Sequence, residues 1–161
     1  MVREIPLTQG KTALVDDEDF ALVAGYKWCA LRKKGNHWYA VRGVSTPKGV
    51  RHIYMHRVIA NPPEGMVTDH INGDGLDNRR SNIRVATKRQ NAQNTSIHRN
   101  NTCGFKGVSI SRRGHITAKC QGVYLGLFKT VEDAARRYDE EALIRYGEFA
   151  RLNFPEERTA A

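Results

Sequence analysis

At 161 residues and 40% hydrophobic content, the chain has room for one large domain or two small ones, and no run in it approaches the length needed to span a bilayer. The 26 Lys and Arg against 17 Asp and Glu give a formal charge of +9 and a pI near 9.7, which points to a polyanionic partner. Cys29, Cys103 and Cys120 form no C-x-x-C pair, so neither a disulfide framework nor a Cys-ligated zinc is supported. The chain reads as reduced, intracellular and soluble, with no signal peptide in MVREIPLTQG.

The charge is unevenly spread. Between Asn78 and Val131 there is no acidic residue, while Arg79, Arg80, Arg84, Lys88, Arg89, Arg99, Lys106, Arg112, Arg113, Lys119 and Lys129 all fall there. Solvated faces usually mix both signs, so this tract reads as an electrostatic footprint for nucleic acid.

In chain order, KTALV, KWCALR, WYAVRGV and VRHIYM read as short strands, with a helix over DDEDFALVAGY between the first two. Its acidic first turn suits a helix amino terminus, and Phe20, Leu22 and Val23 give it an apolar face. Trp28, Trp38 and Tyr39 at strand spacing read as packing. MHRVIA is a short helical turn stopped by Asn61-Pro62-Pro63. MVTDH then extends to Asp69 and His70, Asn72-Gly73 makes a tight hairpin reversal, and Ile83 to Val85 returns. ATKRQNAQN reads as a helix capped by Thr87, with Asn91 one turn in.

NTSIHRNNT is polar and aperiodic, the best linker in the chain. Beyond it, Gly114 and Gly122 mark two hairpin turns that divide GFKGVSISRRGHITAKCQGVYLGLF into three strands. In the middle one His115, Thr117, Lys119 and Gln121 alternate with Ile116, Ala118 and Cys120, giving one polar and one apolar face. Thr130 starts a helix with Asp133 in capping-box position, and Val131, Ala134, Ala135, Tyr138, Ala142 and Leu143 form its apolar stripe. The opposite sheet face stays open, with Arg112, Arg113, Lys119 and Gln121 on or beside it, as suits an element entering a major groove. Leu152 and Phe154 staple the carboxyl end to the core, and the rest frays.

The stretch from Thr68 to Asn94 carries the chemistry. Hydrolysing a phosphodiester needs a deprotonated water, neutralised phosphate charge and a stabilised leaving oxygen. A histidine such as His70 suits the first task. A hard cation does the other two and takes oxygen ligands, which Asp69 and Asn91 can supply. Neighbours on a strand point to opposite sides, so Asp69 and His70 can divide the labour. Asn82 suits a clamp on the loop backbone that orients His70. His56, Asp74 and Asp77 are nearby alternatives, the two aspartates fitting turn or capping roles and His56 lying close enough to touch nucleic acid.

The run DHINGDGLDNRRSNIRVATKRQNAQN resembles the ββα-metal motif of HNH endonucleases, in particular phage and intron-encoded homing endonucleases. The resemblance implies His70 as general base, Asp69 as the preceding metal ligand, Asn82 as the middle Asn and Asn91 at a third position often held by His. It favours Mg²⁺ or Mn²⁺, with no structural zinc, and implies 5′-phosphate and 3′-hydroxyl products. KTALVDDEDFALVAGYKW, WYAVR and YMHRVIA also resemble the amino-terminal part of these nucleases. From Gly104 to Pro155, GFKGVSISRRGHITAKC, YLGLFKTVEDAARRYDEEA and ARLNFP resemble the Apetala/ethylene-response-factor type of DNA-binding domain. Its DNA-reading positions match Lys106, Ser109, Ser111, Arg113, His115, Lys119, Gln121 and Tyr124. Ser109, Ser111 and Tyr124 replace arginines and a tryptophan of the plant members, so plant target preferences do not carry over.

The expectation is therefore an α+β chain: an amino-terminal β-rich HNH ββα-metal nuclease module over 1–94, a linker over 95–103, a three-stranded antiparallel sheet packed on one helix over 104–155, and a tail over 156–161. It would hydrolyse double-stranded DNA, with Arg79, Arg80, Arg84 and Lys88 on phosphates beside the site. One site per chain makes a monomer a nicking enzyme by default, and double-strand cleavage would require a dimer or sequential nicks. The setting implied is the cytoplasm of a bacterial or phage-infected cell, with no membrane partner. The rivals are a non-catalytic sequence-specific DNA-binding regulator and an RNA-binding module.

Overall fold

The computed structural model describes residues 1–95, 97 and 100–160; Arg99 of the basic tract, Ser96 and His98 of the linker span, and Ala161 lie outside the described residues. The fold is α+β, built from small antiparallel sheets and few helices. The chain forms two compact units, Met1–Asn91 and Ala92–Ala161.

The first unit begins with a hairpin of β1 (Val2–Pro6) and β2 (Thr12–Asp16), in which Ile5 faces Ala13. The sequence reading has no strand before Lys11, because Val2–Pro6 lacks a clean alternation and ends on proline. Pairing with β2 supplies what local pattern does not, and Ile5 is buried. Helix α1 (Asp17–Val23) follows with its acidic first turn. Its expected apolar face needs correction at Leu22, which is 48% exposed, while Asp19 is 1% exposed. Asp19 and Val23 are four apart and share the inward face, so the helix is rotated to bury a carboxylate.

Strands β3 (Cys29–Lys33), β4 (His37–Thr46) and β5 (Gly49–Tyr54) form an antiparallel sheet in that order. Helix α2 (Met55–Ala60) continues directly from β5. The core gathers Ile5, Ala13, Val15, Val23, Trp28, Ala40, Met55, Ile59 and Ile83. Each large member contributes about 1.5–3 kcal/mol by leaving water. The Trp28 indole donates to the Val23 carbonyl at 2.8 Å, so its one polar atom is satisfied within the core.

Strands β6 (Val67–His70) and β7 (Ile83–Ala86) pair antiparallel, and α3 (Lys88–Gln93) follows. The expected tight hairpin at Asn72-Gly73 is corrected. The Gly73 amide does turn back onto the His70 carbonyl at 2.9 Å, but the chain then runs through a long ordered loop, residues 71–82, before β7. Thr87 caps α3: the Gln90 amide donates to its hydroxyl at 3.2 Å, and the Thr87 amide donates to the Gln90 side chain at 2.8 Å.

In the second unit β8 (Val108–Ile110), β9 (Ile116–Cys120) and β10 (Val123–Phe128) form a sheet with β9 central, crossed by α4 (Val131–Tyr146). Thr130 caps α4 by accepting from the Asp133 amide at 3.1 Å. Ala118 and Cys120 of β9 and Ala134, Ala135, Tyr138 and Ala142 of α4 are buried, as the alternation and the helical stripe require. Asp139 is buried too. It accepts from the Asn153 and Phe154 amides at 2.9 Å, fastening the carboxyl segment beside α4. Leu152 and Phe154 pack on the core, and Pro155–Ala160 follow as 3-10 turns. Asn101 bonds the backbone of Cys103, Gly104 and Phe105, which ties the end of the polar segment into this unit.

Gly107, with φ +77°, has no room for a Cβ, which would enter the Tyr138 ring. Left-handed strain and overpacking together cost about 3 kcal/mol in Gly107→Ala. Amides of β8–β10 should therefore exchange with solvent roughly a hundredfold faster in that variant, with β1–β7 amides unaffected. Unchanged exchange in β8–β10 would contradict this packing.

Candidate active site

Strand β6 carries Asp69 and His70 side by side, both buried. Its register with β7 sets Asp69 opposite Arg84 and His70 opposite Ile83. The alternation sends the two side chains to opposite faces. On one side the Asp69 carboxylate takes the Arg84 guanidinium, at 3.0 Å from Nε and 2.8 Å from Nη2. On the other His70 meets the long loop and a group of aromatic rings.

The loop is sewn together by its own short polar side chains. Asn72 Oδ1 accepts from the Asp74 amide at 2.7 Å, and Asp74 Oδ1 accepts from the Leu76 amide at 3.0 Å. Asn82 spans the loop, accepting from the Asn72 amide at 3.0 Å and donating to the Asp77 carbonyl at 2.8 Å. The loop is also stitched onto β2, because the Leu14 amide donates to the Leu76 carbonyl at 2.9 Å and the Asn78 amide to the Leu14 carbonyl at 2.8 Å. Gly75 touches β4 so closely that a Cβ there would strike the Trp38 carbonyl and the Tyr39 ring.

Asn78 is the residue that sequence reasoning missed. It is 0% exposed, and its Oδ1 stands 3.3 Å from His70 Nε2. The Asn78 amide nitrogen donates to the Leu76 carbonyl at 3.0 Å. That bond orients the side chain, so the oxygen faces His70 and can only accept. A neutral His70 that donates to this oxygen carries its proton on Nε2 and keeps Nδ1 as its basic nitrogen. In the sequence Asn78 is one of several polar residues in GDGLDNRRSN, and no local pattern separates a buried one from its exposed neighbours.

Burial lowers the His70 pKa below its ordinary value of 6.5, against the raising effects of the Asn78 bond and of Asp69, Asp74 and Asp77, which keeps the ring neutral at pH 7. His56 packs at right angles to it, with ring centroids 4.8 Å apart. Tyr39 lies 6.0 Å from His70 and 5.9 Å from His56, and Tyr54 lies 5.3 Å from His56. Burial first, then the neighbouring His70 and Arg57 charges, push the His56 pKa down to about 3.

The structure thus joins Asp69, His70 and Asn82 through one strand pair and its loop. Asn91 is exposed on α3, its backbone amide bound to the Thr87 carbonyl at 3.0 Å. A buried carboxylate and an amide oxygen are hard donors that suit Mg²⁺ or Mn²⁺ better than a thiophilic ion. Among the described residues, a group of three carboxylates lies instead at Asp16, Glu18 and Asp19, whose oxygens are within 4.8 Å of one another. Arg80 answers their charge, with a fork onto Asp19 at 2.8 and 2.6 Å, an ion pair to Glu18 at 3.1 Å and its backbone amide on Asp16 at 2.7 Å. Arg79 makes a fork of its own on Asp77 at 2.7 and 2.6 Å, which holds the Asp77 carboxyl below its usual range. Of the four basic residues expected on phosphates, Lys88 is exposed at the start of α3, and Arg79, Arg80 and Arg84 are paired with carboxylates.

In the second unit Arg113, His115, Lys119 and Tyr124 are exposed, Tyr124 at 56%. Ser109 shares a hydrogen bond of 3.1 Å with Thr117, and the Ser111 hydroxyl accepts from the His115 amide at 3.0 Å. Gln121 sits in the turn after β9, with φ +49°. Lys106 is half-buried, its ammonium on the Gln93 carbonyl at 2.8 Å, and burial lowers its pKa to about 8.

A family model described as HNH endonuclease matches residues 54–93, the stretch holding β6, the loop, β7 and α3. An uncharacterized HNH endonuclease of Acanthamoeba polyphaga mimivirus is 31% identical over 150 residues, covering 90% of this chain and 76% of the viral protein. The chain belongs to the HNH endonuclease family. Other similarities to this HNH family member are partial. Dehydration-responsive element-binding protein 2E of Arabidopsis thaliana is 36% identical over 72 residues, 36% of this chain and 30% of the plant protein. Protein 3.8 of Escherichia phage T7 is 36% identical over 75 residues, 43% of this chain and 62% of the phage protein. No solved structure matches the chain.

A histidine held neutral by burial makes the first unit acid-sensitive. His56 titrates near 6.5 when unfolded and at about 3 when folded. The unfolded state thus takes the proton first, so stability is complete above pH 6.5 and falls by about 1.4 kcal/mol per pH unit below it until the folded pKa is reached. Urea unfolding followed through Trp28 and Trp38 between pH 7 and 5 should show at least this slope, with His70 adding to it, and should lose about 1.4 kcal/mol per pH unit of it in His56→Phe. An equal slope in both proteins would contradict it.

Proposed function

We propose that the chain is a metal-dependent endonuclease that hydrolyses phosphodiester bonds in double-stranded DNA, with His70 as general base. The observation that carries this reading is the Asn78 bond to His70 Nε2, which presents a neutral imidazole with Nδ1 basic beside a buried carboxylate, inside the stretch matched by the HNH model. His70 Nδ1 takes a proton from the attacking water. The water oxygen bonds to phosphorus, the bond from phosphorus to the 3′ oxygen breaks, and the 3′ oxygen takes a proton from solvent water, so that 5′-phosphate and 3′-hydroxyl ends result. Asn82 and Asn78 hold the loop and the imidazole still while this happens. A divalent cation, Mg²⁺ or Mn²⁺, held by Asp69 and the Asn91 amide oxygen would neutralise phosphate charge and stabilise the leaving oxygen.

DNA as the substrate is supported by the charge pattern. The acid-free tract from Asn78 to Val131 is matched by a second from Phe20 to Pro63, which contains Lys27, Arg32, Lys33, Lys34, Arg42, Lys48, Arg51 and Arg57. The assignment gives residues 1–94 to cleavage, 95–103 to a linker and 104–155 to an Apetala/ethylene-response-factor-like DNA-binding domain. In that domain Ser109, Ser111, Arg113, His115, Lys119, Gln121 and Tyr124 would face DNA, and Lys106 would reach it by leaving the Gln93 carbonyl. Arg79, Arg80, Arg84 and Lys88 serve phosphates beside the site, the first three by exchanging a carboxylate partner for a phosphate. A monomer acting in the cytoplasm of a bacterial or phage-infected cell nicks one strand. The partial similarity to a plant element-binding protein favours one second reading, a DNA-binding regulator that does not cut.

Supercoiled plasmid incubated with Mg²⁺ should turn into open circles, and EDTA should stop the conversion. His70→Ala should slow it at least about a hundredfold while duplex binding stays within about twofold. Cleavage by His70→Ala at the wild-type rate would sink the general-base role, and binding without cleavage by either protein across several metals would favour the regulator.

A further inference from the structure

His56 is a second histidine at the site for which the general-base scheme has no use. It stands at the start of α2, buried, with its ring at right angles to His70 and the centroids 4.8 Å apart. Tyr39 and Tyr54 close its other sides, at 5.9 and 5.3 Å. Among the described residues its Nδ1 is one of the few buried side-chain nitrogens without a hydrogen-bond partner. A buried polar atom left unpaired is unfavourable by about 1–3 kcal/mol, so this nitrogen calls for an explanation, and an oxygen bound there in the working state supplies one. Packing alone would be served as well by phenylalanine, which has the ring without the orphan nitrogen. With the rings in contact, one oxygen can bridge His56 and His70 when the site opens to substrate.

We propose that His56 is a further catalytic residue, whose Nδ1–H donates a hydrogen bond to the oxygen of the attacking water while His70 Nδ1 takes the water's proton. His56 neither gains nor loses a proton in the step. The water is fixed at two points, so its remaining lone pair is aimed at phosphorus and less orientational freedom is lost on the way to the transition state. This inference rests on the nuclease reading above.

The test uses the full chain and the plasmid assay under saturating and subsaturating DNA, comparing wild type with two variants. His56→Asn keeps a polar atom near the position of Nδ1 but loses the ring. His56→Phe keeps the ring but loses the nitrogen. The expected result is that the Phe variant loses at least about tenfold in kcat with KM unchanged, and that the Asn variant cleaves several-fold faster than the Phe variant. A Phe variant as fast as the Asn variant, or faster, would overturn the proposal, because ring shape would then suffice. If the Phe variant lacks the native near-ultraviolet spectrum, His56→Leu takes its place with the same two outcomes. An inactive wild-type protein would count against the nuclease reading, whereas active wild type with an unimpaired Phe variant counts against His56 alone.

Discussion

The hydrogen bond between Asn78 and His70 is the constraint on which the rest of the site depends. It exists because a long loop is held on the edge of β2 by two backbone bonds around Leu14 and closed by the Asn82 amide. Asn78 is thereby buried completely, with its amide nitrogen committed to the Leu76 carbonyl. Its oxygen has His70 Nε2 as its partner, and leaving that buried acceptor unpaired would cost about 1–3 kcal/mol. A side chain with no chemistry of its own thus decides which nitrogen of the neighbouring histidine is basic.

Charge is arranged around this frame in local pairs. Asp19, Asp69 and Asp77 are buried carboxylates in a chain of net charge +9, and each is answered by an arginine of the Arg79 to Arg84 segment. The Asp69–Arg84 pair is the most enclosed, and removing one member of such a pair costs about 3–5 kcal/mol because the other charge stays behind. The arginines therefore serve two masters. They build the unit by covering its acids, and they hold positive charge beside the strand that presents Asp69 and His70.

What the sequence discloses and what it withholds divide along the range of the interactions. The presence of β3 to β5, the alternation of β9, the Thr87 and Thr130 caps and the apolar stripe of α4 come from local sequence, and they read correctly. The strand Val2–Pro6 has no pattern of its own and exists through its partner β2. Leu22 and Asp19 exchange their expected sides because Arg80, far along the chain, reaches the carboxylate. The Asn72-Gly73 turn is real, but the chain beyond it is ordered by side-chain amides and by β2, which no two-residue turn rule describes. Asp69, His70, Asn82 and Asn91 could be named from residue chemistry and motif. Asn78 could not, since its role comes from burial and from a bond eight residues away.

Nitrogen-detected NMR of the His70 imidazole in the native chain at pH 7 reads out the consequence of the Asn78 bond. A neutral ring with the proton on Nε2 and an unprotonated Nδ1 is expected, and this pattern should be lost when Asn78 is replaced by Leu. A His70 that carries its proton on Nδ1, or that is an imidazolium at pH 7, would contradict it.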